Sequence, residues 1–448
     1  MTKHSSLRCV AWLTLIACLL FSPLTAMASE ACRATIACTK TAAQQFADIQ
    51  RQLVSDSARK DWPAYLKDAQ RLRRFVNDSA AGNLEVARAQ LHLGRTAAAK
   101  VSAKYVLAMG VTNPVLASPL FKPISADLAA VIASNSSERT NARQALVLRK
   151  PGFLPEDIDF DSATKRLFLT SVQQDGIYVL SASGALKLFA SSPDHWPMFA
   201  VKVDSRRRRL WATDVALTGF KSVRRKDWGR SAVLEYDLDK GILLARIEGP
   251  NHSALGDMAL TTDGKPVVSD GDGGGVYQIN EGTLHRLDHG DFISPQTATQ
   301  CPGSEVLFVP DYARGIGALD PRTGQVKWFS SGGRHASAGI DGLYCRGQAL
   351  FAVQNGTSPQ RVIAFDLDRT RTHITGERIV DRRANGDFTH GVFVGDSFLY
   401  IADSGWSGID EHGVAKPGVQ SSKAHIMQYQ VGGLSKRMAG PETRGALR

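Results

Sequence analysis

Six sequence units in the last two-thirds of the chain begin at matching places, and several of these places carry side chains that can bind cations. These six residues, here called the first ring, are Glu156, Met198, Gly256, Gln296, Asp341 and His390, with Asp257 next to Gly256. In five units the second apolar run ends in a polar residue, and these residues are called the second ring: Asp214, Asp270, Asp311, Asn355 and Asp403, with Tyr312 after Asp311. Carboxylate and amide oxygens are the ligands that hard divalent cations prefer. If the fold gathers them, these residues predict a site for one divalent ion, with Ca²⁺ the best match and Zn²⁺ or Mn²⁺ as alternatives.

The units share a three-part pattern that predicts how these residues are positioned. Each opens with a polar or proline-containing turn and a strand of small residues, as at Leu154-Pro155-Glu156-Asp157-Ile158. A strand of the form Leu-aromatic-Val/Ala follows, as at Leu210-Trp211-Ala212, and then a third strand. Six such units of roughly 40 to 60 residues are typical of a six-bladed β-propeller. In an up-down-up-down blade, the start of the first strand and the end of the second lie at one face around the channel, so the polar residues meet there.

The last unit ends after its third strand, which predicts how the ring closes. We expect Ala145-Leu146-Val147-Leu148, just before the first unit, to supply the missing outer strand of the last blade. The propeller is assigned to residues 141–431, and residues 432–448 are expected to be a disordered tail. The fold class is thus mainly β, preceded by a small α-helical domain of helical hairpins.

Helical periodicity runs from about Thr39 to Gly110, where apolar residues recur at helical spacing. Asp61 is the expected N-cap of a helix opened by Trp62-Pro63. Four helices with short connections resemble degenerate tetratricopeptide repeats, and a plain helical cap on the propeller is an equal alternative. Residues 111–138 are expected to form a linker with short helices at most. Residues 29–140 are assigned to this helical domain and linker.

The propeller region, from about residue 150 to 431, resembles the senescence marker protein/gluconolactonase (regucalcin-like) superfamily. The resemblance rests on Pro155-Glu156-Asp157-Ile158 in blade one and Ile340-Asp341-Gly342-Leu343 in blade five. Members hold a divalent metal with a glutamate from blade one, an asparagine from blade four and an aspartate from blade five. The resemblance therefore implies Glu156, Gln296 and Asp341 as metal ligands. Gln296 departs from the family's asparagine by one methylene, and Gly256 stands where the family has a substrate-binding asparagine.

The activity that this resemblance implies is metal-dependent hydrolysis of a small lactone or ester. The metal would polarise the carbonyl, and a second-ring carboxylate, Asp270 or Asp311, would activate water. His390 is expected to be catalytic or to line the channel. Substrate contacts are expected from Asp257, Tyr312, Asn355 and Asp403. An aspartate at the end of a second strand also has an alternative role, in which its carboxylate accepts backbone N–H bonds of its own turn.

A second function class stays open: a non-catalytic binding or scaffold propeller that mediates protein or ligand interactions in the cell envelope. The departures at Gln296 and Gly256 favour it, as does the common use of both modules in recognition. The expected partner is a small lactone or ester in the first case and an envelope protein in the second.

The start of the chain predicts export. Lys3 and Arg8 precede an apolar run from Val10 to Phe21, and Ala26-Met27-Ala28 has the small residues that a signal peptidase reads. Because the run is shorter than a membrane span of roughly 20 residues, we expect residues 1–28 to be a signal peptide, with an uncleaved anchor as the alternative. The protein is then expected to be periplasmic or secreted, with no integral membrane span after cleavage.

Four cysteines lie outside the predicted signal peptide: Cys32, Cys38, Cys301 and Cys345. An even number in an oxidising compartment permits two disulfides. Cys32 and Cys38 are close enough in sequence to close a small loop. Alignment of the repeats puts Cys301 and Cys345 on neighbouring first strands of blades four and five, so we expect them to pair, with free buried thiols as the alternative.

The formal net charge of +11 does not by itself indicate a nucleic-acid partner. The run Arg206-Arg207-Arg208-Arg209 lies between two strands of one unit, where a hairpin turn is expected. A solvated turn is therefore the better interpretation, and export further disfavours nucleic acid. No nucleic-acid partner is predicted.

Overall fold

The computed structural model describes residues 40–76, 78–420 and 423–431. The predicted signal peptide, Cys32, Cys38 and the predicted tail at 432–448 lie outside the described residues. No helix of the described part is long and apolar enough to cross a membrane.

The described part of the helical region contains five α-helices: α1 (Ala42–Arg59), α2 (Trp62–Phe75), α3 (Ala80–His92), α4 (Thr96–Ala108) and α5 (Ser125–Ser136). Asp61 caps α2 as predicted, because its carboxylate accepts the N–H of Ala64 at 3.1 Å. Helix α5 is a correction to the sequence analysis, which expected only short helices between residues 111 and 138. Pro114, Pro119 and Pro123 lie in the two short 3₁₀ helices before it, and they hid its pattern.

The described residues from 139 onward form a six-bladed β-propeller, which confirms the predicted fold class. Two strands, β1 (Arg139–Thr140) and β2 (Arg143–Val147), precede the first blade. Blade one contains β3 (Pro155–Asp161), β4 (Arg166–Ser171), β5 (Gly176–Leu180) and β6 (Leu186–Ser191); blade two contains β7 (Met198–Asp204), β8 (Arg209–Ala216), β9 (Arg230–Asp237) and β10 (Leu243–Glu248). Blade three contains β11 (Asp257–Leu260), β12 (Pro266–Asp270), β13 (Gly275–Asn280) and β14 (Thr283–Arg286); blade four contains β15 (Leu307–Asp311), β16 (Gly315–Leu319) and β17 (Val326–Trp328). Blade five contains β18 (Gly342–Arg346), β19 (Ala349–Gln354), β20 (Gln360–Leu367) and β21 (Ile374–Arg383); blade six contains β22 (Gly391–Val394), β23 (Ser397–Ala402) and β24 (His425–Gln430).

The second strands of the blades are the most deeply buried. Every residue of β12, β15, β19 and β23 is buried. A strand that is covered on both faces needs apolar side chains on both, so its sequence is a continuous apolar run rather than an alternating one. This explains why the Leu-aromatic-Val/Ala pattern marked the repeats so clearly.

The ring closes with a strand from the other end of the chain, as predicted. Strand β2 pairs antiparallel with β24 and becomes the outer strand of blade six. The N–H of Leu148 continues the pairing by donating to the carbonyl of Ala424 at 2.9 Å. Blade six is thereby held beside blade one.

Blade four has an irregular innermost segment instead of a regular strand. Isolated bridges join Pro295 to Asp311 and Thr299 to Phe308, and Thr297 bridges to Gly342 of blade five. This path carries Cys301 next to β18, where it forms the predicted disulfide with Cys345 across a Cα–Cα distance of 5.2 Å.

The helical region packs on the face of the propeller where the first strands begin. Backbone N–H groups of Ala42 and Ser331 bond across the interface to the Gly290 carbonyl (2.8 Å) and the Asp78 carboxylate (2.7 Å). The buried guanidinium of Arg361 donates to the carbonyl of Gly110 at 3.3 Å. The helices therefore contact the loops of blades three to five, beside the channel mouth.

Candidate functional site

Three of the six first-ring residues come together in the channel: Glu156, Asp341 and His390. One potential ligand atom from each lies within 4.8 Å of the others. The three are 8%, 8% and 3% exposed. Glu156 lies at the start of β3, whereas Asp341 and His390 immediately precede β18 and β22. Because these strands belong to blades one, five and six, the cluster spans the seam that β2 closes.

The surroundings of Glu156 and Asp341 disfavour the ionised forms of both carboxyl groups. Burial, followed by the charge of Asp341, raises the pKa of Glu156 to about 8. Burial likewise raises the pKa of Asp341 to about 6, with the charge of Asp257 adding to it and that of His390 opposing it. Trp406 Nε1–H donates to Glu156 Oε2 at 2.5 Å, and Asn355 Nδ2–H donates to Asp341 Oδ2 at 2.7 Å. A cation between the carboxylates would favour their ionised forms.

His390 is bonded through both ring nitrogens. Its Nδ1 lies 3.1 Å from the carbonyl oxygen of Glu156, and its Nε2 lies 3.0 Å from Asp257 Oδ1. Thr297 Oγ1–H donates to the same Asp257 oxygen at 2.6 Å. Burial opposes a charge on the ring, but Asp341, Asp157 and the bond to Asp257 outweigh it and raise the pKa of His390 well above its ordinary value. Both ring nitrogens face oxygen acceptors, so a protonated His390 donates on both sides and lends a positive charge to the carboxylate pair.

A second ion pair lies deeper in the channel, and the sequence analysis missed it. Lys202 Nζ bonds to Asp157 Oδ2, which also accepts the N–H of Val201 at 2.9 Å. Lys202 is 8% exposed and Asp157 is fully buried. Beside them the innermost segments of all six blades line a cavity of about 150 Å³. The signal available in the sequence was Lys202 within the otherwise apolar run of residues 198–203.

Gln296, the expected third metal ligand, is half-buried at the mouth. Its Nε2 donates to the carbonyl oxygen of Ser294 at 3.2 Å and to the hydroxyl of Ser294 at 3.1 Å. These bonds hold the amide within its own segment. A ligand role for Gln296 stays a prediction, and His390 is the third group that the structure places beside Glu156 and Asp341.

The second-ring carboxylates Asp270 and Asp311 form the bonds of turn residues. Asp270 Oδ1 accepts backbone N–H bonds at 2.8 to 3.2 Å from Ala254, Asp272 and Gly273. Asp311 accepts four at 2.6 to 3.0 Å, from Ile293, Ser294, Ala313 and Arg314. Both show the contacts of the alternative role that the sequence analysis kept open, and a role as general base stays a prediction for each.

Asn355 is the second-ring residue that reaches the carboxylate pair. It donates to Asp341 and accepts the hydroxyl of Tyr312 at 3.0 Å. Asp403 instead pairs with His425 Nδ1 at 2.8 Å in its own blade. Asp257 forms a hydrogen bond with His390 Nε2 at 3.0 Å. Substrate contacts stay a prediction for all four residues: Asp257, Tyr312, Asn355 and Asp403.

The mouth above the pair has an aromatic side that the sequence analysis did not identify. Trp406 lies in the connection between β23 and β24, and its ring centroid is 6.4 Å from that of Phe199. Trp406 and Ile409 pack against an apolar cluster from blades one and two that includes Trp196 and Phe220. The only sequence signal was the length of this connection, since Trp406 has no counterpart in the other units.

Comparisons with known proteins find similarity at the level of structure. No protein-family model matches the chain, and no curated protein matches it in sequence. A gluconolactonase from Xanthomonas campestris aligns at 14% identity over 66% of this chain and 92% of its own, with a TM-score of 0.44. The calcium-binding protein regucalcin from Agrobacterium tumefaciens aligns at 16% identity over 65% and 95%, with a TM-score of 0.43. A PQQ-bound aldose sugar dehydrogenase from Streptomyces coelicolor aligns at 12% identity over 65% and 98%, with a TM-score of 0.44.

The structural neighbours are thus of gluconolactonase, regucalcin and sugar dehydrogenase type. At these identities and TM-scores the similarities bear on neither chemistry, substrate nor cofactor. Function has to be inferred from the residues of this chain.

Proposed function

We propose that this protein is a metal-dependent hydrolase of a small lactone or ester, with a divalent cation held by Glu156 and Asp341 in the propeller channel. The observation that carries the proposal is the buried cluster of these carboxylates with His390, whose ligand atoms lie within 4.8 Å of one another. Buried carboxylates that face each other are costly unless a cation compensates their charge.

The donor set fits a divalent ion. Two carboxylates suit Ca²⁺ or Mn²⁺, and the imidazole extends the choice to Zn²⁺. For His390 to become a ligand through Nε2, it must lose a proton and its 3.0 Å bond to Asp257. Ca²⁺ needs no such change, because oxygen ligands suffice. A bound cation would supply polarisation of the substrate carbonyl.

The chain's own residues orient the carboxylates and hold protons. Trp406 Nε1–H and the Asn355 amide each fix one oxygen of the pair, at Glu156 Oε2 and Asp341 Oδ2. Because the pKa of Glu156 is raised to about 8, the carboxyl is mostly protonated near neutral pH until a cation favours its ionised form. In that ionised form Glu156 could accept the proton of an attacking water. Asp270 and Asp311, the candidates that the resemblance suggested, already accept several N–H bonds.

A non-catalytic binding propeller is the second candidate function. It is favoured by the protein partners that Glu156, Asp341 and His390 already have, which let the cluster persist as a hydrogen-bonded network. The helical region would then add a surface for a protein of the cell envelope. Under either proposal we place the protein in the periplasm or outside the cell, on the basic and apolar pattern of residues 1–28.

Metal content of the purified protein distinguishes the two. We expect near-stoichiometric Ca²⁺, Zn²⁺ or Mn²⁺ that Glu156→Gln and Asp341→Asn both lose. Asp288→Asn is the control, because Asp288 is a buried aspartate of blade three that pairs with Arg286, away from the channel pair. Absence of metal, together with no thermal stabilisation by added ions, would refute the hydrolase proposal and favour the binding propeller.

A further inference from the structure

Three arginines lie side by side on neighbouring strands at the outer edge of blade five. Strand β1 extends this blade by pairing with β21, which in turn pairs with β20. The register places Arg361 of β20 opposite Arg382 of β21, and Arg382 opposite Arg139 of β1. Directly opposite side chains of an antiparallel pair share one face of the sheet, and like charges at such positions are destabilising. The row of three arginines therefore needs compensation by negative charge.

Only part of this compensation comes from the described residues. Glu377 lies 3.3 Å from Arg361 Nη1, but no described carboxylate forms an ion pair with Arg382 or Arg139. Arg382 is nevertheless only 8% exposed. Burial, followed by the charge of Arg139, lowers the pKa of Arg382, and the charge of Glu377 opposes this. A buried charge without a counterion is costly, so the row would gain from an added anion.

The hydrogen bonds of Arg382 leave part of its guanidinium group unused. Its Nε donates to the carbonyl oxygen of Ser137 at 2.8 Å, and its Nη2 donates to the Ser134 carbonyl at 3.1 Å and the Ser137 hydroxyl at 2.8 Å. These bonds satisfy the C-terminal end of α5. Within the described part of the chain, Nη1 of Arg382 and the guanidinium of Arg139 have no hydrogen-bond partner.

The unused donors border a cavity of about 180 Å³, which both of these arginines line together with Glu138, Asp381 and Arg383. Asp381 is already compensated, because Arg383 Nη2 lies 2.8 Å from its Oδ2 and the Tyr400 hydroxyl donates to the same oxygen at 2.7 Å. Glu138 accepts the N–H of Ala384 at 3.4 Å and forms no ion pair with a described residue. The cavity thus combines free guanidinium N–H groups with an excess of positive charge.

We propose that this cavity binds a tetrahedral oxyanion, a phosphate or sulfate group, between Arg139 and Arg382. A guanidinium presents its N–H groups as a planar fork that matches two oxygens of an oxyanion. A tetrahedral group can meet two forks at once, whereas the two oxygens of a carboxylate are satisfied by one. The inference does not depend on the proposed hydrolase, because β1 is the strand of blade five farthest from the channel.

A bound anion would also connect the two parts of the molecule. Arg382 holds the end of α5 through Ser134 and Ser137, and Arg139 lies in the first strand after that helix. An oxyanion that bridges the two guanidinium groups would therefore stabilise the junction between the helical region and blade five.

Calorimetric titration of the purified protein at low ionic strength tests the site, with inorganic phosphate, phenyl phosphate and acetate as probes. We expect phosphate to bind and acetate to bind at least tenfold more weakly. Arg139→Gln should weaken phosphate binding about tenfold or more, because it removes one charged fork and leaves the bonds that hold α5 intact. Glu138→Gln should tighten phosphate binding, because it removes a negative charge from the lining.

Arg143→Gln is the matched control. Arg143 is an exposed arginine of β2 that donates to Gln428 and does not line the cavity. The substitution removes the same charge four residues away, so phosphate should bind this variant as it binds the wild type. Arg139→Lys separates charge from geometry, because it keeps the charge without the fork and should retain only part of the affinity.

The two phosphate probes distinguish the sources of the group. Phenyl phosphate binding at least as tightly as inorganic phosphate indicates a group carried by a larger molecule, and weaker binding indicates the free anion. Three results would overturn the site: no binding of either phosphate probe, acetate binding as tightly as phosphate, or equal losses of affinity in Arg139→Gln and Arg143→Gln.

Discussion

Within each of the two rings around the channel, the acidic residues occupy equivalent places in the repeats. The carboxylates of the first ring and those of the second ring are nevertheless stabilised in different ways. In the second ring, Asp311 accepts four backbone N–H bonds and Asp270 accepts three, all from nearby loops. In the first ring, Glu156 and Asp341 each accept one side-chain donor and face one another. All four are buried, so burial does not distinguish the rings; the source of the hydrogen bonds does.

The difference separates carboxylates that shape loops from carboxylates that can bind a ligand. The hydrogen bonds from backbone N–H groups to Asp270 and Asp311 cannot be broken without disrupting the loops that donate them. These two carboxylates therefore stabilise the fold. The carboxylate pair has facing charges and pKa values raised to about 8 and about 6, and it gains most from an added cation. Substitutions should therefore affect stability in the second ring and binding in the first.

The largest effect is expected for Asp311→Ala. It leaves four backbone N–H groups without their acceptor, and we expect it to lower the free energy of unfolding by about 5 kcal/mol, because buried unsatisfied donors are costly. Asp311→Asn keeps one acceptor oxygen and should lose less. Urea denaturation measures both. A loss for Asp311→Ala no larger than that for Glu156→Gln would contradict the contrast between the rings.

Asp214 is a second-ring residue that accepts fewer hydrogen bonds than Asp270 and Asp311. Unfolding free energies measured over a range of pH test the consequence. Its Oδ2 accepts only the hydroxyl of Ser192, at 2.7 Å, and its Oδ1 has no hydrogen-bond partner among the described residues. Burial raises its pKa to about 7. The folded state therefore binds a proton more tightly than the unfolded state, and stability falls as the pH rises from the unfolded value to about 7.

Asp214→Asn removes this dependence. Relative to the wild type, the variant should gain stability steadily from about pH 4 to pH 7 and then level off, with a total change of about 4 kcal/mol. Unfolding free energies at a series of pH values measure the gain. A difference between variant and wild type that does not change with pH would show that Asp214 is ionised in the folded protein throughout.

Added cation should stabilise the wild type through the first ring alone. At a free concentration about a hundredfold above its dissociation constant, a ligand that binds only the folded state adds about 2.7 kcal/mol. Glu156→Gln should abolish this increment, whereas Asp270→Asn should keep it, although its basal stability is lower. An increment that Asp270→Asn loses and Glu156→Gln keeps would move the cation to the second ring.

The sequence predicted the ring because its signal is repeated. Second strands buried on both faces are continuous apolar runs, and six of them in register identified the blades. The alignment of these repeats also placed Cys301 beside Cys345 and Ala145–Leu148 at the closing position. Each of these predictions depends on local pattern and topology.

Features that depend on side-chain direction between blades could not be predicted. The bonds of His390 combine Glu156 of blade one, Asp257 of blade three and Thr297 of blade four, which no local pattern connects. Gln296 occupies the expected ring position, but its amide donates to Ser294 of its own segment. Trp406 reaches the pair from a connection that has no repeat signal.

The smallest effect is expected for Trp406→Phe, which shows whether a single side-chain donor matters in the first ring. The variant keeps an aromatic ring beside Phe199 and removes the Nε1–H that donates to Glu156 Oε2 at 2.5 Å. A donor that orients a ligating carboxylate typically changes metal affinity about tenfold, so cation binding measured by calorimetry should weaken by that factor. Trp228→Phe is the control, because Trp228 packs on the same apolar cluster but donates to the carbonyl of Val223. Equal effects from both substitutions would mean that Trp406 acts through packing, and the carboxylate pair would then bind a cation without an oriented Glu156.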